Sequence, residues 1–148
     1  QQDVRYTDAC IYVPDIKIIK TDTDVPQRLP ENKWQTVDVI CCAAPNLRER
    51  PYNKMNPGQG KAIRVTPEEL LGCIAGCNKI LSVAAANNVE CLVLGAFGCG
   101  AFRNDPNIVA RAYRDIFPEF DGYFREIRFA VYCPPHDRTN FNVFRRLL

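Results

Sequence analysis

Apolar positions recur along the chain in two rhythms. Short continuous or alternating runs fall at Ala9 to Val13, Ile16 to Ile19, Thr36 to Cys42, Cys91 to Leu94 and Ile127 to Cys133. These are rich in β-branched and aromatic residues and predict strands. Spacings of three and four appear at Leu70, Cys73, Ile74, Cys77, Leu81 and Ala84, then at Val109, Ala112, Tyr113, Ile116 and Phe117, and last at Phe141, Val143, Phe144, Leu147 and Leu148. Each set puts one apolar stripe on a helix.

Punctuation between the runs sharpens the boundaries. Pro14-Asp15 interrupts the first run, as in an edge or kinked strand. Thr21 to Asn32 is polar, carries Pro26 and Pro30, and reads as loop. Trp34 introduces the second strand, which ends at Ala43-Ala44-Pro45-Asn46. Leu47 to Ile63, with Pro51, Pro57, Gly58 and Gly60, reads as a long irregular connection. Thr66-Pro67-Glu68-Glu69 is a capping box with proline at the first helical position, and that helix ends near Asn87-Asn88. Pro106 opens the next helix and Pro118 stops it. The order is β-β-α-β-α-β-α, which predicts an α/β fold: a mainly parallel sheet with helices on both faces and right-handed crossovers.

Length and composition allow one domain. The chain has 148 residues, 47% hydrophobic and 24% charged, enough for a sizeable core. A net charge of +2, with basic residues scattered apart from the pairs Arg48/Arg50 and Arg145/Arg146, gives no nucleic-acid stripe. No run approaches the about 20 apolar residues that cross a bilayer, and the amino terminus has no signal or transit character. A cytoplasmic protein with no membrane partner is expected. Gln1 comes first and Met55 is the only methionine, so a processed chain or a piece is expected.

The stretch that concentrates chemistry is Glu90 to Pro106, E-C-L-V-L-G-A-F-G-C-G-A-F-R-N-D-P. A strand runs into Gly95, Gly98 and Gly100, and Asp105-Pro106 then starts a helix. Beyond the carboxyl ends of such strands lies the crevice where α/β proteins bind ligands, and a helix N-terminus there favours anions. Glycines admit a diphosphate that any Cβ would push away, so the loop reads as a phosphate cradle. Its spacing, G-x-x-G-x-G, matches neither the dinucleotide fingerprint nor the Walker loop. A plain tight turn with no ligand is the alternative. Asn104 and Asp105 read as helix caps, with ligand contact the second reading.

The eight cysteines bring little chemistry of their own. Cys10, Cys41, Cys42, Cys91 and Cys133 sit in apolar runs, and Cys73 and Cys77 share a helix face, as small buried hydrophobes would. With no C-x-x-C pair and a single histidine, His136, neither a structural zinc site nor a secreted disulfide framework is supported. Cys99 is different, because it lies in the glycine loop near a helix N-terminus that would stabilise a thiolate. A cysteine nucleophile served by His136 is therefore a third functional reading.

The run Leu92 to Pro106, together with V-D-V-I-C-C-A-A-P-N from Val37 to Asn46, resembles the C-terminal part of the microbial-type poly(ADP-ribose) glycohydrolases, a branch of the macrodomains. The resemblance covers nearly the whole chain and implies a three-layer macrodomain-like fold. Residues 1–148 would be the C-terminal portion of one such domain, lacking its N-terminal strands. It further implies that the glycine loop wraps the diphosphate of ADP-ribose or poly(ADP-ribose). Gly95 would belong to the ligand-binding loop, Gly98, Cys99, Gly100 and Ala101 would offer backbone N–H groups, and Phe102 would lie against the distal ribose. Phe141 matches a place where macrodomains present an aromatic to adenine; a core pairing with Phe144 is the other reading.

The resemblance also shows a departure. The family's second signature, glycines followed by a glutamine and paired glutamates, is absent here, and with it the acid or base for the ribosyl bond. Glu68 and Glu69 belong to a cap, Glu49 lies in a loop, and Glu90 opens a strand. No catalytic residue, cofactor or metal is thus assigned within the chain. The expected partner is an associated N-terminal segment of the same protein or a second copy, since unpaired strand edges would otherwise be exposed. A lone 16.8 kDa monomer that unfolds cooperatively would defeat that expectation. Binding of ADP-ribose without cleavage is the alternative function.

Overall fold

The computed structural model describes residues 10–45 and 78–148. Strand β1, Cys10–Ile18, pairs antiparallel with β2, Gln35–Cys42. Helix α1, Asn78–Ala86, leads to β3, Cys91–Leu94, and helix α2, Pro106–Ile116, leads to β4, Glu126–Phe129. Helix α3, Thr139–Leu147, closes the chain. Among the described residues the element order is the one the periodicity predicts. The pairing differs: the described strands form two separate two-stranded sheets, β1-β2 antiparallel and β3-β4 parallel, where a mainly parallel sheet was expected. Antiparallel pairing follows from the connection, because residues 19–34 between β1 and β2 are a polar loop with one short 3-10 turn and no helix to carry the chain across a sheet face.

Local chemistry explains most boundaries. β1 is one strand kinked by a register shift between Val13 and Ile16, where Asp15 takes a left-handed φ of 58°. The polar loop after it is folded by the Lys20–Arg28 bridge, a 3-10 turn at Glu31–Lys33, and the Trp34 indole N–H donating to Leu29 O. Asp105 caps α2 by accepting from the Asn107 N–H at 2.8 Å, with Pro106 at the first helical position. Pro118 ends the α-helix but not the helical course, which tightens into a 3-10 turn, Phe117–Phe120. β4 is shorter than the alternating run suggested, ending at Phe129 because β3 supplies partners only up to Leu94. The capping box at Thr66 and the connection at Leu47 to Ile63 lie outside the described residues.

The core joins Ile80, Leu81 and Ala84 of α1 to Leu92 and Leu94 of β3, to Val109, Ala112, Tyr113 and Ile116 of α2, and to Val143 and Phe144 of α3. Leu81, Val109 and Tyr113 are essentially fully buried. Phe129 is its aromatic hub, 5.3 Å from Tyr113 in an edge arrangement and 5.4 Å from Phe144. Such pairs add to area burial through the ring quadrupoles. β1 and β2 contribute only half-buried Cys10, Ile40 and Cys42 to this core. Of the cysteines expected to be buried, Cys10, Cys42 and Cys133 are half-buried and Cys41 and Cys91 are exposed, while Cys73 and Cys77 lie outside the described residues. Strand alternation turns Cys41 and Cys91 to the face that the described helices do not cover.

Candidate functional site

β3 delivers the chain into the glycine loop, and three backbone bonds shape it. The Cys99 N–H donates to Ala96 O, the Arg103 N–H to Gly100 O, and the Asn104 N–H to Gly98 O, each at 3.0 Å. The first closes a turn whose third residue, Gly98, has φ +71°. A Cβ there would stand 1.8 Å from Asn104 Nδ2 and 2.9 Å from Ala44 Cβ. Gly98 is thus required twice, by backbone conformation and by close packing. Gly100 differs: a Cβ there meets nothing within 4 Å, so the position faces open space. Gly95, at the end of β3, has only an ordinary 3.8 Å neighbour, Ala130 O.

The inventory of donors decides what the loop can hold. The Cys99 N–H, expected to face a ligand, is turned inward onto Ala96 O and is spent there. Among the described residues no acceptor meets the N–H groups of Gly98, Gly100 or Ala101. Gly100 and Ala101 are exposed and Phe102 is half-buried beside them. The Asn140 side chain, in the first turn of α3, donates to Cys99 O at 3.4 Å. A trans peptide directs its N–H opposite its C=O, so this tether aims the Gly100 N–H away from α3. Exposed, unsatisfied N–H groups beside a helix N-terminus bind anions.

Asn104 is the functional-loop residue that sequence reasoning misplaced. The sequence reads it as a helix cap together with Asp105, yet Asp105 alone is the cap, and Asn104 is 2% exposed and lies beneath Gly98. Its Nδ2 donates to Pro45 O at 3.0 Å, linking the end of β2 to the loop after β3. Its Oδ1 has no hydrogen-bond partner. The juxtaposition of A-A-P with R-N-D-P depends on a contact between distant residues, and no local pattern signals it.

The cysteine reading loses its electrostatic basis. Burial first, and the Asp105 carboxylate second, push the Cys99 thiol up to about 12, opposite to the expected thiolate stabilisation. Its Sγ lies 3.7 Å from Phe97 O, and no hydrogen bond joins it to the exposed His136. Phe141 is half-buried, with the Arg138 guanidinium 5.0 Å from the centre of its ring. It lines a hollow of about 200 Å³ with Phe129, Val131 and Phe144. Phe144 also packs on Phe129, with ring centres 5.4 Å apart. Among the described residues no cluster of three or more metal-ligating side chains occurs, and no helix is long and apolar enough to cross a membrane.

Strand, glycine loop and capped helix together define an α/β protein with a glycine loop of unmatched N–H groups at its strand carboxyl ends. No protein-family model matches the chain and no curated protein does. Solved structures do match. Poly(ADP-ribose) glycohydrolase from Deinococcus radiodurans, crystallised with ADP-ribose, is similar at 33% identity over 98% of this chain and 54% of its own, with a TM-score of 0.74. The enzyme from Thermomonospora curvata is similar at 29% identity over 99% of this chain and 49% of its own, TM-score 0.77. A form of it bound to the inhibitor ADP-HPD gives 28% identity, 51% of that chain and a TM-score of 0.78. The chain is a partial poly(ADP-ribose) glycohydrolase-like chain, spanning about half the length of the structures it matches.

Proposed function

We propose that this chain supplies the diphosphate-binding portion of an ADP-ribose-binding macrodomain of the poly(ADP-ribose) glycohydrolase type, in a three-layer fold. The observation that carries the reading is the loop after β3, with the Gly98, Gly100 and Ala101 N–H groups unmatched by acceptors, in a chain similar to proteins crystallised with ADP-ribose. In this reading Gly100 and Ala101 donate to the diphosphate, the N-terminus of α2 adds partial positive charge, and Phe102 packs on the distal ribose. Cys99 contributes shape through its inward N–H rather than a bond to ligand. Phe141 serves adenine only if Arg138 leaves its ring face.

Cleavage of the ribosyl bond requires an acid or base that this reading assigns to a glutamate in polypeptide upstream of the chain. Calorimetric titration with ADP-ribose, beside AMP and beside Gly100→Glu, is the test. Binding that the variant reduces by at least about tenfold supports the cradle. Equal binding by the variant, or no binding by a folded sample, overturns it. Hydrolysis by the chain alone would overturn the assignment of the glutamate.

A further inference from the structure

Cys10 opens β1 and Cys42 closes β2, and the antiparallel register sets them directly opposite each other at the open end of the hairpin. Directly opposed residues on adjacent strands share one face of the sheet. Here that face is the inner one, since Cys10, Ile40 and Cys42 all pack against the core cluster. Opposed Cα atoms lie about 4.5 or about 5.5 Å apart in the two kinds of antiparallel pair, and a disulfide accepts about 4.4 to 6.8 Å. The backbone therefore suits a bridge whichever kind this pair is. Both residues are half-buried, and neither is in a disulfide. Among the described residues no group of three or more metal-ligating side chains includes them, so what these residues offer is a dithiol. Position gives the pair leverage. From Cys42 the chain passes directly to Ala44 and Pro45, the support of the glycine loop: Ala44 Cβ stands 2.9 Å from where a Gly98 Cβ would be, and Pro45 O accepts from Asn104 Nδ2 at 3.0 Å.

We propose that Cys10 and Cys42 are a redox pair, whose oxidation ties the end of β2 to β1 beneath the glycine loop. The oxidant class is a small-molecule disulfide, RSSR. One cysteine, as its thiolate, attacks a sulfur of RSSR, forms a mixed disulfide and expels RS⁻, which takes up a proton. The opposed cysteine gives its proton to water, attacks the protein sulfur of the mixed disulfide and expels the second RS⁻. Two thiols are thereby oxidised to one disulfide and RSSR is reduced to two RSH; excess RSH drives the same steps backwards. Register also selects the partner. Cys41 is exposed, lies opposite Ile11 and points to the other face, and Cys91 belongs to the β3-β4 ladder. Closing the chain between Cys10 and Cys42 limits how far the two strand ends can separate. The effect on ligand alone rests on the proposed function: a fixed Ala44-Pro45 support holds the Gly100 and Ala101 N–H groups in place and lowers the ordering cost of binding.

The test incubates the whole protein, expressed in its own cells, with oxidised glutathione or with excess reduced glutathione, then blocks the remaining thiols and maps peptides by mass spectrometry. The oxidised arm is expected to contain Cys10 linked to Cys42, and the reduced arm to contain both as blocked thiols. Cys41→Ser is expected to keep the link. Cys10→Ser and Cys42→Ser are each expected to abolish it and leave glutathione on the surviving partner. Blocked thiols at both positions in the oxidised arm, or a link from either residue to any other cysteine, overturns the proposal. Hydrogen exchange reads the tie itself: the Cys42 amide in oxidised Cys41→Ser protein is expected to exchange at least about tenfold slower than in the reduced form, and equal exchange overturns it. Titration of both forms with ADP-ribose separates this inference from the proposed function. A link with binding tightened at least about threefold sustains both. A link with no binding in either form sustains the redox pair and overturns the cradle, and binding without a link does the reverse. A link with equal or weaker binding overturns the action of the pair on the loop.

Discussion

Residues 78–148 and the β1-β2 hairpin treat their apolar side chains in opposite ways. In the first region α1, α2 and α3 close over β3 and β4, and Leu81, Val109 and Tyr113 are almost wholly covered. In the hairpin Ile11 remains 65% exposed, Ile18 44% and Val37 38%. Both regions are written in β-branched and aromatic residues, so composition does not separate them. What differs is coverage: the first region supplies its own helices, while the hairpin presents apolar surface that the described residues leave open. The physical lesson is that strand propensity specifies pairing locally, but burial requires a second layer.

The sharpest way to break this contrast is truncation on each side. Leu81→Ala should cost about 3 kcal/mol in urea unfolding, from lost transfer energy and a residual cavity. Ile11→Ala should cost less than about 0.5 kcal/mol in the same chain, since its side chain is already in water. A large cost for Ile11→Ala would mean that the hairpin face is covered in solution.

The joint between the regions comes next. Gly98→Ala forces a Cβ against Asn104 and Ala44 in a left-handed conformation and should cost about 3 kcal/mol, lowering Tm by roughly 10 °C. Gly100→Ala, facing open space, should leave Tm within about 2 °C. Equal effects would refute the division of labour between the two glycines. Asn104→Ala, which frees Pro45 O, should cost about 1–2 kcal/mol and speed exchange in β2 relative to β3.

Thiol chemistry gives a smaller readout. Cys41 and Cys91 are exposed, while Cys99 is partly buried with its thiol pushed up to about 12. Alkylation at pH 8 should therefore modify Cys41 and Cys91 well before Cys99, followed by peptide mass spectrometry. Early modification of Cys99 would revive the nucleophile reading.

The smallest effect is electrostatic and confined to the hairpin. The Tyr12 hydroxyl donates to the Asp38 carboxylate, which also accepts from the Asp15 N–H at 3.0 Å. The Tyr12 bond, then the Asp15 amide, lower the Asp38 pKa, and the bond to Asp38 first raises that of Tyr12. A depressed carboxyl stabilises above its unfolded value near pH 4 and loses that contribution as pH falls through the folded value. A raised phenol stabilises below about pH 10 and loses it as pH rises further. Hairpin amide shifts followed by NMR should therefore be flat between these limits, and Tyr12→Phe should remove the Tyr12 share of the acid response and the whole of the alkaline one.

Much of this protein was legible in the order of its residues. Periodicity determined the β-β-α-β-α-β-α order, Asp105-Pro106 determined where α2 begins, and the spacing of Gly95, Gly98 and Gly100 marked the loop, because each depends on neighbours within a few positions. Tertiary structure alone decided the rest. It buried Asn104 under Gly98, turned the Cys99 N–H inward, raised its thiol pKa, and split the described strands into two pairs. These outcomes depend on contacts between residues as far apart as Pro45 and Asn104, where packing and desolvation act, and no local pattern encodes them.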